Sequence, residues 1–404
     1  MAFHHFVIFR LSRKWFARSG PSPKLSPVLP DQLASSRTDT AIKRILLIRP
    51  SALGDVCRSV AVAVRLKSLF PHAHLDWLIQ DNFADAISAH PAIDGVLLFR
   101  RGRLRDGLGA KLSSIVQLRT ELKAGNYDLV IDAQGLLRSG LMACVTRAKI
   151  RLGHGDAREW GWIGYTRNVK CTAKHAVERT LQLLIPLYQM LGRPVPPLPT
   201  KLPDSWKLHS VPEAKTWIAA QPWSRCRYTV LAPTSRWIAK AWPVERFDAV
   251  AARLLASGAC DRIVVVGGPG EQPQCAPLLT RAAADPRIID LVGRTTVGQL
   301  MATIEHAALV IANDSAAVHM AAGFDRPLVG LYGPTEIDKV GPLLRGTDVL
   351  RVSRDTDTLN YKDARNREMM YRIGVDIVEQ MARQRLQIQT TNSSGSLEGV
   401  EKKA

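Results

Sequence analysis

Hydrophobic positions in this chain come as short unbroken runs, each followed by a stretch in which apolar residues recur at helical spacing. The run Ile45-Leu46-Leu47-Ile48 has no alternating polar face, as a strand buried on both sides requires. It breaks at Arg49-Pro50-Ser51-Ala52-Leu53-Gly54-Asp55. Val56, Val60, Ala63, Val64 and Phe70 then predict a helix that Pro71 ends. Residues 75–79, 95–99 and 128–132 predict further strands. A stretch with prolines at 194, 196, 197, 199, 203 and 212 follows, with the composition of an interdomain linker. Beyond it the pattern restarts, with strands predicted at 228–232, 263–266, 288–291, 309–312 and 328–331. Helices are predicted at 244–256, at about 273–284 and from Ser315. Alternation of this kind produces right-handed βαβ units and parallel sheets. The expected fold class is therefore α/β, with two Rossmann-like open sheets at 44–200 and 213–355 facing a cleft. A basic tail and linker (1–43) precedes them, and a helical segment (356–386) and a disordered polar tail (387–404) follow.

Composition narrows the function classes. A length of 404 residues suits two domains, and 46% hydrophobic residues are ample for two cores. Six cysteines with no CxxC argue against a disulfide scaffold or a cysteine zinc site and suit reduced cytosolic thiols. No apolar run approaches the roughly 18–20 residues of a membrane span. Charges interrupt the N-terminal apolar residues, unlike a secretory signal, so a cytoplasmic location is expected. The net charge of +19 is spread over loops and tails without a nucleic-acid motif, so no nucleic-acid partner is expected. Phe3, Phe6, Ile8, Phe9, Trp15 and Phe16 alternate with Arg10, Arg13, Lys14 and Arg18. This pattern fits either peripheral contact with an anionic membrane or an unstructured tail.

Ligands of open α/β sheets bind outside the carboxyl ends of the strands, so the chemistry is sought in those loops. In the first, Asp55 is either a general base at the cleft edge or an ordinary helix N-cap. The second, residues 234–243, carries Thr234, Ser235 and Lys240. Hydroxyls and an ammonium suit a phosphate, although an exposed loop would also carry them. The third, Asn313-Asp314-Ser315-Ala316-Ala317-Val318-His319, opens a helix with small residues and so leaves backbone N–H groups for an anion. There Asp314 is either a cap or a contact to a ligand hydroxyl, and His319 is either a ligand contact or a core residue. The turn Gly267–Glu271 lacks GxGxxG spacing, and the first strand-turn-helix lacks it too, which disfavours a dehydrogenase. Arg100, Arg101, Arg103 and Arg105 cluster after the strand at 95–99. They are either a solvated basic face or a site for an anionic acceptor.

Taken together, the segments IRPSALGD (48–55), YDLVIDAQG (127–135), HAVERT (175–180), KAWP (240–243), NDSAAVH (313–319) and YGPT (332–335) resemble the lipopolysaccharide heptosyltransferases of glycosyltransferase family 9. HAVERT, with Ala157-Arg158-Glu159, is most similar to the heptosyltransferase I branch. The resemblance implies a GT-B fold and inverting transfer of L-glycero-D-manno-heptose from ADP-heptose to Kdo on lipid A, without a metal or other cofactor. It implies Asp55 as catalytic base and Lys240 as phosphate ligand. Thr234, Ser235, Glu271, Asp314, Ser315, Ala316 and His319 would lie on the donor, with Glu271 at the adenosine ribose. Ser51, Arg100, Arg101, Arg103 and Arg158 would lie on the acceptor side. Peripheral association with the anionic cytoplasmic face of the inner membrane would bring the enzyme to a lipid-anchored acceptor. Ala316 departs from the glycine usual in the family after Asp-Ser. Another nucleotide-sugar transferase, or a non-catalytic nucleotide-binding module, are the competing readings.

Overall fold

The computed structural model describes residues 42–101 and 108–397. The aromatic-basic stretch of the first 41 residues, Arg103 and Arg105 lie outside them. In chain order the elements are β1 (Arg44–Ile48), α1 (Leu53–Leu69), β2 (His74–Gln80), β3 (Gly95–Phe99), α2 (Leu108–Ala124), β4 (Leu129–Asp132), α3 (Leu137–Val145), β5 (Ile150–His154), β6 (Arg167–Val169), α4 (Ala176–Gln182), α5 (Ile185–Met190) and α6 (Pro212–Ala219). The second lobe comprises β7 (Tyr228–Ala232), α7 (Val244–Ala256), β8 (Arg262–Gly267), α8 (Ala276–Ala284), β9 (Ile288–Val292), α9 (Val297–Glu305), β10 (Leu309–Asn313), α10 (Ala316–Gly323), β11 (Leu328–Leu331), α11 (Ile337–Val340), β12 (Val349–Leu350), α12 (Glu368–Tyr371) and α13 (Val375–Leu397).

Each lobe is a six-stranded sheet, ordered β3-β2-β1-β4-β5-β6 and β12-β11-β10-β7-β8-β9. All pairings are parallel, with Ile48 beside Leu78 and Asp132, and Ala232 beside Ala312. In both sheets the first strand lies centrally and the order reverses beside it, at β1/β4 and at β7/β10. Such reversals splay the following loops apart and leave a crevice. Three strands lie outside the predicted set: β5, β6 and β12. Arg151 and His154 break the apolar run in β5, while β6 and β12 have only three and two residues, too short for a periodic signal.

The lobes share apolar packing. Val56, Val60 and Ala63 of α1 belong to the same core as Val318, Met320 and Ala321 of α10, and Gly54 lies beneath His319. A β-carbon at position 54 would fall 2.7 Å from the imidazole Cδ2, so the close approach of the lobes requires glycine there. The proline-dense crossing is a packed strap, because Trp206 and Leu208 are buried and the Leu208 N–H donates to the Gly323 carbonyl at 2.9 Å. The C-terminus corrects the sequence expectation. Helix α13 continues past residue 387 to Leu397. Val378, Ala382 and Leu386 anchor it in the second core, and an anchored helix extends with one hydrogen bond per added residue. Among the described residues no helix is long and apolar enough to cross a membrane.

Candidate active site

The loops that leave β1, β4, β7 and β10 all open at the two points of order reversal. Asp55 is not an N-cap. Ala52 holds that position, and Asp55 sits within the first turn of α1 with no backbone N–H bond to its carboxylate. Two guanidiniums flank that carboxylate instead: Arg49, from the end of β1, at 2.8 Å and Arg58, one turn further along α1. Burial pushes the carboxyl upward, but the two arginines outweigh it and hold Asp55 at about 2. Arg49 also donates to the Ala133 carbonyl after β4, and Arg58 donates to the Val340 carbonyl of the second lobe at 3.0 Å. The charge on Asp55 is thereby tied to both sheets of the cleft.

His319 of α10 faces Asp55 across that contact. Burial pushes its imidazole well below the ordinary histidine range, with Arg58 and Lys240 adding to the effect and Asp55 opposing it. His319 is therefore neutral at pH 7, and its Nδ1 has no hydrogen-bond partner among the described residues.

The donor-side residues fall into two groups. Thr234, Ser235, Glu271, Ser315 and Ala316 line one cavity of about 350 Å³, closed on the first-lobe side by Leu53, Asn82 and Phe83. The Glu271 Oε2 accepts the Gly268 N–H at 2.7 Å, which shapes the turn after β8. Ser315 is the N-cap residue of α10 but makes no side-chain cap, so the helix start is open toward this cavity. Lys240 and Asp314 form the other group. The Lys240 ammonium lies 2.7 Å from the Asp314 Oδ2 and 4.1 Å from the Tyr361 ring centroid. The Thr335 hydroxyl donates to the same oxygen at 2.7 Å. Lys240 is thus held against Asp314 rather than solvated, and the Asp314 Oδ2 makes this pair rather than a helix cap. Buried Asn313 positions this loop, accepting the Trp242 N–H at 3.1 Å and donating to the Pro233 carbonyl at 2.6 Å.

On the acceptor side, Arg158 lines a cavity of about 340 Å³ with Arg49, Gln134, His154, Lys174 and Arg179, and with Lys339 and Val340 of the second lobe. The Ser51 N–H donates to the Gln134 side chain at 3.2 Å, joining this cavity to the Asp55 loop. Arg100 is elsewhere: it lines a groove between β3 and α2, two strands away, and contacts Gln117. Arg101 is exposed beside it. The strand order separates these arginines from Arg158, because β3 is the edge opposite β5 and β6.

Arg49, Arg58, His175 and Arg179 were not among the expected site residues. Arg58 has a readable signal, since its position three residues after Asp55 on a helix brings the two side chains together. Arg49 has none, because the turn that folds it back is set by the β1–β4 pairing. His175 caps α4, its Nδ1 accepting the Val177 N–H at 3.3 Å, so the Nε2–H donates to the Gly341 carbonyl of the second lobe at 3.2 Å. Burial lowers its basicity, consistent with that neutral tautomer. Arg179 grips both oxygens of Asp156 at 2.9 and 2.7 Å. Among the described residues no three His, Cys, Asp or Glu side chains gather as a metal site would need.

Two parallel six-stranded sheets of the same strand order, with their strand-end loops facing one cleft, are the GT-B architecture. Residues 115–368 match the model of glycosyltransferase family 9 (heptosyltransferase). The chain belongs to that family. It is 28% identical over 320 residues to lipopolysaccharide heptosyltransferase 1 of Escherichia coli K12, covering 77% of this chain and 94% of that protein. It is 31% identical over 301 residues to lipopolysaccharide heptosyltransferase 1 of Pseudomonas aeruginosa, covering 72% of this chain and 79% of that protein. The solved structure of the E. coli heptosyltransferase WaaC with ADP has the same fold, with a TM-score of 0.66 at 24% identity over 85% of this chain and 99% of that one.

Proposed function

We propose that this glycosyltransferase moves heptose from ADP-heptose to a Kdo sugar of the lipopolysaccharide inner core, inverting the anomeric centre without a metal. One observation carries the reading. Asp55 is paired to Arg49, which lines the arginine-lined cavity, and to Arg58, which reaches Val340 of the second lobe, while Leu53 of the same loop lines the cavity at the α10 start. An acceptor hydroxyl in the arginine-lined cavity attacks the anomeric carbon, the bond from that carbon to the diphosphate breaks, and ADP departs. The hydroxyl proton passes to an Asp55 oxygen. A carboxylate held at about 2 is a weak base toward a resting alcohol. It suffices once bond formation has made the attacking oxygen strongly acidic, which places proton transfer late in the step. Lys240 and the first-turn N–H groups of α10 supply the positive charge a departing diphosphate requires. Arg158 and Lys174 meet the acidic groups of a Kdo-lipid acceptor.

The relatives support this choice of donor and acceptor class: those named above are lipopolysaccharide heptosyltransferases, and one was solved with ADP. Peripheral association with the anionic cytoplasmic face of the inner membrane would follow from a lipid-anchored acceptor. The deciding experiment offers the purified protein ADP-heptose, UDP-glucose and GDP-mannose with a Kdo-lipid acceptor and measures nucleotide release. Release with ADP-heptose alone supports the reading. Equal or greater release with another donor would replace the donor, and no acceptor-dependent release with any would favour a nucleotide-binding module.

A further inference from the structure

The arginine-lined cavity opens at Arg158 onto the 3₁₀ segment Arg158–Gly164, and this segment leaves large apolar side chains in water. Trp160 is 70% exposed, Ile163 58% and Trp162 43%, and Leu141 on the adjoining α3 is 53% exposed. The exposure is built in. Gly140 of α3 meets Gly161 and Gly164 so closely that a β-carbon at Gly140 would fall 2.0 Å from the Gly161 carbonyl oxygen. The backbones therefore press together and the intervening side chains turn outward. Glu159 and Trp160 also take left-handed backbone angles, φ 55° and 61°, which a bulky residue adopts only where the surroundings impose them.

The surround is basic. Residues 136–170 carry seven Arg or Lys against two acids, Asp156 and Glu159, and Asp156 is already engaged by Arg179. That charge disfavours a second copy on the same face, since a symmetric pair would juxtapose two positive surfaces. It favours an anionic surface, and indole rings settle at the headgroup level of bilayers. We propose that Arg158–Gly164 and the adjoining face of α3 dock the first lobe on an anionic lipid bilayer, with Trp160, Trp162 and Ile163 at headgroup depth. A lipid-anchored acceptor would then reach the cavity from the membrane plane. This last point rests on the acceptor-side reading above, whereas the docking itself does not.

The test uses the full chain and no acceptor. Vesicles of phosphatidylcholine with phosphatidylglycerol, some bearing brominated acyl chains, are compared with pure phosphatidylcholine. Three proteins are measured: wild type, Trp160→Ser/Trp162→Ser and Trp160→Phe/Trp162→Phe. The expected result is a loss of vesicle affinity of roughly tenfold or more for the Ser protein. Most affinity should remain in the Phe protein, and bromine should quench the part of the wild-type fluorescence that the Phe protein lacks. Melting temperature and turnover with a soluble acceptor should not change. Unquenched indoles at positions 160 and 162 with equal affinity for all three proteins would overturn the proposal. So would a lipid-free dimer, seen by sedimentation equilibrium, that the Ser protein disperses. Should the Ser protein fail to fold, the wild-type and Phe quenching comparison still decides. Failed vesicle docking with normal heptosyl transfer would refute this surface alone, and the converse would refute the transfer reading alone.

Discussion

Replacing Asp55 by Asn removes one charge while keeping shape, and two separable consequences are expected. The first is chemical. Loss of a general base lowers turnover by roughly 10²–10⁴-fold, with ADP affinity changed little because Asp55 does not line the donor cavity. The second is a stability effect with a defined pH dependence. The carboxyl stands at about 2 in the folded protein against 3.8 for an ordinary aspartate, and its side chain is less than one-third exposed. At about 1.4 kcal/mol per pKa unit, that corresponds to roughly 2 kcal/mol of stabilisation. A depressed carboxylate contributes fully above its unfolded value and loses its contribution as pH falls toward the folded one. Wild type should therefore exceed the variant by about 2 kcal/mol at pH 7, and the gap should close between about pH 4 and pH 2. Urea midpoints across that range, read alongside nucleotide release at pH 7.5, test both. Near-normal turnover would remove Asp55 from the chemistry. An equal stability gap at pH 7 and below pH 2.5 would show that the two arginines are not what holds it.

Three further expectations rest on other contacts. Lys240→Ala should weaken ADP binding and slow transfer together, and it should also lower stability by about 3 kcal/mol because it strands the buried Asp314 carboxylate. Unchanged ADP affinity by calorimetry would reassign the lysine to a structural role. Gly54→Ala forces a β-carbon onto the His319 ring, so its destabilisation should fall by about 1 kcal/mol when measured in a His319→Ala background. Strict additivity of the melting shifts would mean the lobes do not pack this closely. Deleting residues 1–43 should weaken salt-sensitive binding to anionic vesicles while leaving soluble-acceptor turnover intact, since every proposed catalytic residue lies beyond them. Unaltered binding would discount the tail as an anchor.

The chain's own pattern was enough for the α/β alternation, the restart after residue 212 and the loops where chemistry sits. Buried parallel strands announce themselves as apolar runs, and the residues after them must be small, polar or cationic to meet a ligand. SALGD and NDSAAVH pointed to the family for that reason. Only the folded chain decided which of these residues act together. The pairing of β1 with β4 returns Arg49 to Asp55, and the pairing of β7 with β10 sets Lys240 against Asp314. The position of β3 at the sheet edge sends Arg100 away from Arg158. The strand pairings behind these arrangements join distant residues, Ile48 with Asp132 and Ala232 with Ala312, and local periodicity contains no information about them. The strands it left out, β5, β6 and β12, are short or broken by polar residues, and they persist because a neighbouring strand supplies their hydrogen bonds. The α13 extension past residue 387 has the same origin: a polar sequence with no reason to fold alone continues a helix that Val378, Ala382 and Leu386 have already fixed in the core.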